Sequence, residues 1–190
     1  MLKYLLDIDN KILLWVNAHN NPFWDEIMLA FSERFFWVPF YTMLVLLIIY
    51  KFRKRSILIL ITITLMIIAT DQFSSHLLKP LVGRLRPCYD ESLMHLLHMI
   101  KDCGGRYGFI SSHASNSFGA AMILWMLFRK QFKYFWLMFV WAAVVSYSRI
   151  YLGVHFPSDI IGGMFCGLIF GYLFFQLYSS AEKKVFNKNI

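Results

Sequence analysis

The chain is short of what most soluble folds are built from. Only 16% of its 190 residues are charged, 11 of them acidic, whereas soluble domains carry about 25% charge. With 58% hydrophobic residues and a mean hydropathy of +0.54, that scarcity disfavours an ordinary soluble globule. Three cysteines are too few for a small disulfide scaffold. Repeats, low-complexity tracts and linkers are missing, and 35 aromatic residues (19 Phe, 10 Tyr, 6 Trp) contradict disorder. The length leaves room for one domain, two at most, and 1–190 reads as one.

What is abundant is long apolar sequence. A membrane-crossing helix needs ~20 mostly apolar residues, and five windows qualify: Phe31 to Tyr50, Ser56 to Leu78, Ala114 to Phe128, Tyr134 to Ser148 and Ile160 to Tyr178. The expected fold class is an all-α integral membrane helical bundle of about five spans. Lys and Arg near span ends are retained on the cytoplasmic side. Lys51 to Arg55, Arg129 to Lys133, and Lys183, Lys184 and Lys188 all fall on one side under simple alternation. The net charge of +8 is therefore topological and does not point to nucleic acid. Residues 1–30, 79–113 and 149–159 then lie outside. Asp7 and Asp9 interrupt the first apolar stretch and no small-residue cleavage site follows, so it does not read as a signal peptide. Lys3, Asp7, Asn10, Lys11 and Asn17 share one helical face opposite Leu5, Ile8, Ile12 and Val16, which suits a helix lying in the outer interface.

The outside loops carry the wrong charge for their side. Lys79, Arg84, Arg86, Lys101 and Arg106 outnumber Asp90, Glu91 and Asp102, and such an excess calls for an anion. Alternation brings Lys79, the starts of spans three and five, and Arg149 to the same face. Ser111 and Ser112 stand where they can cap the start of span three, and a helix N-terminus favours an anion. Lys79, Arg86, Arg149 and that N-terminus can converge on one phosphate, arginine as a planar fork and lysine as a point charge. His113 opens span three, and His155 precedes Pro157, a residue suited to a first helical turn. Asp159 follows His155 by four positions, close enough to accept its Nδ1–H and leave Nε2 free to attack. A nucleophile with its orienter, a second proton carrier and an anion clamp form a phosphoryl-transfer site that needs no metal or other cofactor.

These residues resemble the type 2 phosphatidic acid phosphatase superfamily, whose signature reads K-x6-R-P, P-S-G-H, S-R-x5-H-x3-D. The chain has Lys79 with Arg86-Pro87, then Ile110-Ser111-Ser112-His113, then Ser148-Arg149 with His155 and Asp159 at full spacing. The first and third parts match at every specified position; the second departs at Ile110 and Ser112. The resemblance implies a phosphohistidine on His155, Asp159 as its orienter and His113 as the acid for the leaving oxygen. It also implies that Lys79, Arg86, Ser111 and Arg149 hold the phosphate, with the Ser112 backbone N–H available beside them. The family usually has six spans, so here the first is expected to be reduced to an interfacial helix. The expected activity is hydrolysis of a lipid phosphate or diphosphate at the outer face of a bacterial inner membrane. Undecaprenyl diphosphate, phosphatidylglycerol phosphate, phosphatidic acid and lipid A are the candidates. A lipid phosphotransferase using the same histidine, and a lipid or anion transporter, are the alternatives; no obligatory protein partner is inferred.

Three weaker patterns remain. Glu91, His95 and His98 fall at i, i+4 and i+7, the spacing of one helix face; an exposed polar face is the commoner reason for such a set, a metal site or an amphipathic lid the alternatives. Cys88 and Cys103 share the outer loop and are candidates for a disulfide, free thiols being the alternative. Asp71, Gln72, Ser74, Ser75 and His76 sit in the outer half of span two, where they either support Lys79 or make interhelical hydrogen bonds.

Overall fold

A computed structural model describes residues 2–186, with side chains from Tyr4 onward. The side chain of Lys3 and residue Lys188 lie outside the described residues. The chain is all helical: α1 (Leu2–Ala18), α2 (Pro22–Ser32), α3 (Val38–Phe52), α4 (Ser56–Gln72), α5 (Lys79–Val82), α6 (Ser112–Phe128), α7 (Leu137–Tyr151) and α8 (Pro157–Phe186). A wider helical turn over Phe73–Leu78 joins α4 to α5 without a break. Two stretches, Arg34–Val82 and Pro157–Phe186, are long and apolar enough to cross a membrane. The first doubles back at Arg53, whose φ of 51° breaks the helix and makes α3 and α4 a hairpin.

The apolar core lies where α6 meets α4, α7 and α8, around Met66, Ala114, Ala121, Ile123 and Phe128. Helices α6 and α8 approach closely because glycine lines the seam. A Cβ on Gly163 would stand 2.6 Å from the Ser111 carbonyl oxygen. Outside the bundle, Tyr50, Ile57, Ile68, Phe165 and Leu177 are exposed, the pattern of a lipid-facing wall.

The two ends of the bundle differ in charge. Phe52 meets Phe128, Lys51 stands over the Phe132 ring, and Arg55 pairs with Glu182 at 2.9 Å. The basic segments 51–55 and 129–133 and the end of α8 thus gather at one end, as loop charge predicts. The other end carries α1, α2 and the long loop 83–111.

That outer end departs from the sequence reading. Residues 22–32 form a helix of their own, α2, and the first long apolar helix starts at Val38, not at Phe31. Asn21 caps α2 and Pro22 starts it, signals strong enough to separate it from α3. Helix α1 is not a free interfacial helix. It packs on α7 and α8, burying Asp9, Leu13, Val16 and Asn17. Its polar Asn17 is 1% exposed while apolar Leu5 and Ile12 face outward, although Asp7 and Lys11 are exposed and Val16 is buried, so burial does not follow the two expected faces. The cause is backbone hunger in the loop beneath. Asn17 donates to the carbonyls of His98 and Tyr151 and accepts from the His98 N–H, satisfying groups that burial would otherwise strand.

The segment 90–100 is not an α-helix, so Glu91, His95 and His98 do not share a face. Glu91 and His95 are exposed and His98 is bonded to Asp25 at 2.9 Å, which removes both the metal reading and the amphipathic lid. Leu93 turns inward and Leu97 and Met99 pack behind it, fixing the loop against the core under α1. Cys88 and Cys103 are joined as a disulfide across a Cα separation of 6.2 Å, closing that loop.

Candidate active site

Each part of the site is delivered by a local feature of the chain. Helix α7 ends at Tyr151, and Gly153, at φ 68°, makes the left-handed turn that returns the chain to His155. Pro157 then opens α8, as expected. Asp159, one turn on, reaches back to accept the Phe156 N–H at 3.1 Å and the His155 Nδ1–H at 3.2 Å on the same oxygen, Oδ2. Neither residue meets solvent: His155 is 1% exposed and Asp159 0%. The bond fixes the tautomer in which Nε2 is the free nitrogen. Burial, followed by the charges of Arg86, Arg149, Lys79 and Arg84, holds the proton affinity of His155 well below the usual imidazole value. At neutral pH Nε2 is therefore unprotonated.

The start of α6 is tied to the start of α8. The Ser111 N–H donates to the Asp159 carbonyl at 3.0 Å, while the Ser111 hydroxyl accepts from the Ala114 N–H at 3.5 Å and caps the helix. Ser112 does not cap. Its hydroxyl accepts from Lys79 Nζ at 3.0 Å and meets Ser74 and Ser75 at 2.8 and 3.1 Å. Two members of the polar cluster in the second apolar window thus support Lys79; Asp71 and Gln72 line a cavity described below, and His76 is exposed. His113 stands next, with Arg149, Lys101 and Arg86 as its charged neighbours and the His155 imidazole beside them.

The arginines come from two directions. Arg86 is pinned by Nη1 to the Cys103 carbonyl at 2.8 Å and by Nε to that of Tyr107 at 3.3 Å, inside the disulfide-closed loop. Arg149 is 5% exposed and gives one Nη to the Ser32 hydroxyl, whereas its buried Nε has no partner among the described residues. A buried guanidinium N–H without a partner is costly; in a cluster with Lys79, Arg84 and Arg86 it suits an oxyanion. All eight residues expected from the sequence, Lys79, Arg86, Ser111, Ser112, His113, Arg149, His155 and Asp159, are at the same end of the bundle.

Sequence reasoning missed the residues that hold this set in place. Asp9 and Arg84 meet beside Asp159. Lys101 pairs with Glu33, and Tyr151 donates to Asp25 at 2.7 Å. Gly108 leaves room for the carboxylate, since a Cβ there would lie 2.8 Å from Asp159 Oδ2. Gly108→Ala is thus expected to cost about 1–3 kcal/mol of stability by overpacking the His155–Asp159 pair, and to lower the rate of phosphate release. Gly105→Ala, whose Cβ meets nothing within 4 Å, should leave the rate unchanged. Initial rates of phosphate release from the two variants check this.

Beside His113 a cavity of about 700 Å³ runs into the bundle between α3, α4, α6 and α7. Its upper wall is polar, with Glu33, Asp71, Gln72, Ser112, His113 and Asn116. Its lower wall is Leu44, Ile48, Ile63, Leu124 and Met138.

The sequence matches the PAP2 superfamily over residues 60–183. The chain belongs to the PAP2 superfamily. A lipid A 4'-phosphatase of Bacteroides thetaiotaomicron is 39% identical over 178 residues, covering 92% of this chain and 79% of that protein. A lipid A 4'-phosphatase of Porphyromonas gingivalis is 32% identical over 185 residues, covering 96% and 78%. Among solved structures, a PAP2-type phosphatidylglycerolphosphate phosphatase from Bacillus subtilis shares the fold, with a TM-score of 0.69 at 22% identity over 98% of this chain and 90% of the other. This PAP2 protein is a membrane-bound phosphatase, a hydrolase of lipid metabolism.

Proposed function

We propose that this PAP2 protein hydrolyses the phosphate ester of a glycosyl lipid of the lipid A type, by way of a phosphohistidine on His155, at the outer face of a bacterial inner membrane. The supporting observation is that the cavity beside His113 joins a polar upper wall, where Ser112 is bonded to Lys79, to an apolar lower wall. With the phosphate held by Lys79, Arg86 and Arg149, the Leu44, Ile63 and Leu124 wall suits its hydrocarbon. A substrate that reaches the site from the bilayer needs both halves. Asp71, Gln72 and Asn116 belong to the polar wall. The Asn116 carboxamide lies 2.5 Å from the Thr70 hydroxyl. Carboxylate and carboxamide side chains on that wall suit the hydroxyls of a sugar, and the two relatives reported above carry lipid A names.

In mechanism, His155 Nε2 attacks phosphorus in line while the cationic clamp neutralises the equatorial oxygens. The ester P–O bond breaks and the leaving oxygen takes a proton from His113. Water then attacks the phosphohistidine, giving its proton to His113; the N–P bond breaks, inorganic phosphate leaves and both histidines return to their starting states. The outward orientation follows from the basic end of the bundle, read as cytoplasmic, with five crossings between the two faces.

The test is phosphate release in detergent from lipid A, phosphatidic acid, phosphatidylglycerol phosphate and undecaprenyl diphosphate, with and without chelator and vanadate. Lipid A is expected to give the highest kcat/KM, unaffected by chelator and inhibited by vanadate as a phosphate mimic. A preference for undecaprenyl diphosphate would overturn the sugar reading; a requirement for Mg²⁺ would overturn the histidine mechanism.

A further inference from the structure

We propose that Asp9, carried by the N-terminal helix, and Arg84 are positioning residues of this enzyme: they hold Asp159 in the orientation that presents His155 to the phosphate. The inference rests on His155 being the nucleophile. It concerns residues outside the family signature, because Arg84 is one of the unspecified positions between Lys79 and Arg86 and Asp9 lies far upstream.

The geometry is a continuous chain of charged groups. Arg84 Nη2 donates to Asp9 Oδ2 at 2.5 Å, and Nη1 donates to Asp159 Oδ1 at 3.0 Å and to the Ser158 hydroxyl at 2.5 Å. The guanidinium lies on the ring of Phe156, 3.9 Å from its centroid, so its plane is set by the residue that follows His155. Asp9 also accepts the Ser158 N–H at 2.8 Å and the Ser158 hydroxyl. A carboxylate from α1 thereby caps an orphan N–H in the first turn of α8. The side chains of Asp9 and Asp159 are 6% and 0% exposed, and that of Arg84 is 19%.

Each bond constrains the next. Asp159 Oδ1 is occupied by Arg84, so the carboxylate plane cannot turn, and Oδ2 alone faces His155 Nδ1 and the Phe156 N–H. Arg84 would swing off Oδ1 without its second carboxylate. The loop positions Arg84 from behind: the Gly108 N–H donates to the Arg84 carbonyl at 2.9 Å and the Arg86 N–H to that of Arg106 at 3.0 Å. Asp9 is also a counter-charge. The groups that bear on His155 are Arg86, Arg149, Lys79 and Arg84, all positive, against Asp159 and Asp9, with His113 beside them.

Those opposed charges supply a test that a merely structural latch would not pass. Asp9→Asn, Asp9→Glu and Arg84→Gln are purified as full chains beside Asp7→Asn, an exposed carboxylate on the same helix. For each, kcat and KM for a lipid phosphate are measured across pH, and phosphohistidine formation is followed with labelled substrate. Asp9→Asn is expected to lower kcat roughly ten- to hundred-fold by misplacing the nucleophile, with KM within about two-fold. Removing the Asp9 charge makes protonation of His155 harder, so the acid limb of kcat/KM moves to lower pH; Arg84→Gln moves it to higher pH. The substrate's own ionisation is common to all variants and cancels. Asp7→Asn matches the parent enzyme. A kcat for Asp9→Asn within two-fold of the parent, or limbs displaced in the same direction or not at all, overturns the proposal. If Asp9→Asn does not fold, Asp9→Glu decides: the limb stays in place with a lowered kcat, and an unchanged kcat refutes the positioning role. Absence of phosphohistidine in the parent enzyme is a different failure, one of the nucleophile assignment itself.

Discussion

His155→Ala is expected to abolish phosphate release, by at least roughly 10⁴-fold, and to eliminate labelled phosphoenzyme, while the protein still binds vanadate weakly. Removal of a nucleophile leaves only what the clamp and substrate binding contribute, and in hydrolases of other chemistry that residue is small. Among the described residues no other group has the same placement. His155 is the imidazole whose Nδ1 is held by a buried carboxylate, leaving Nε2 toward the cationic cluster. The side chain is almost fully buried, so its loss also leaves a hole lined by Asp159 and Arg84. A purely structural effect would show as a lowered unfolding temperature. His155→Gln, which conserves most of the volume, is the control, and it should be as inactive as His155→Ala. Label transfer from substrate, quenched in alkali where phosphohistidine survives, is the measurement. Turnover near the parent rate in either purified variant would remove His155 from the mechanism.

How much of this was legible in the sequence depended on distance along the chain. The pair His155 and Asp159 was readable because a separation of four is one helical turn, and Pro157 marks where that helix begins. Arg149 was readable by its fixed offset from His155 across a helix end and a glycine turn. Lys79 and Arg86 were readable as basic residues on the face where basic residues are scarce. The support for each was not. Arg84 meets Asp9 across 75 positions, Arg149 meets Ser32 across 117, and Asn17 meets Tyr151 across 134. No local period encodes such pairs; they arise only when α1 and α2 fold over the ends of α7 and α8. The N-terminal helix was misread for the same reason. Asn17 belongs to its polar face by spacing, yet Asn17, like Asp9, is buried because it satisfies groups of other segments. The spacing of Glu91, His95 and His98 misled in the opposite sense: the helical pattern is present, but Asn17, Asp25 and the inward Leu93 impose another path.

His113→Ala should be nearly as damaging as the loss of His155 on the natural ester, but only there. If His113 supplies the proton to the departing oxygen, its removal costs roughly 10²–10⁴-fold with a sugar or alkyl leaving group, whose alkoxide is a poor one. An activated aryl phosphate such as p-nitrophenyl phosphate leaves without that proton, so the same variant should form phosphohistidine from it at close to the parent rate. Breakdown of the intermediate should stay slow, because water still lacks its base, and phosphoenzyme should accumulate in a burst. The position of His113 is consistent with both tasks. It stands at the mouth of the apolar cavity, beside Ser112 and within the field of Arg149, His155 and Arg86, where the lipid end of the ester passes. Rapid-quench measurement of phosphohistidine from the two substrates decides the matter. Equal losses on aryl and lipid phosphates would make His113 a binding residue and assign the proton to another donor.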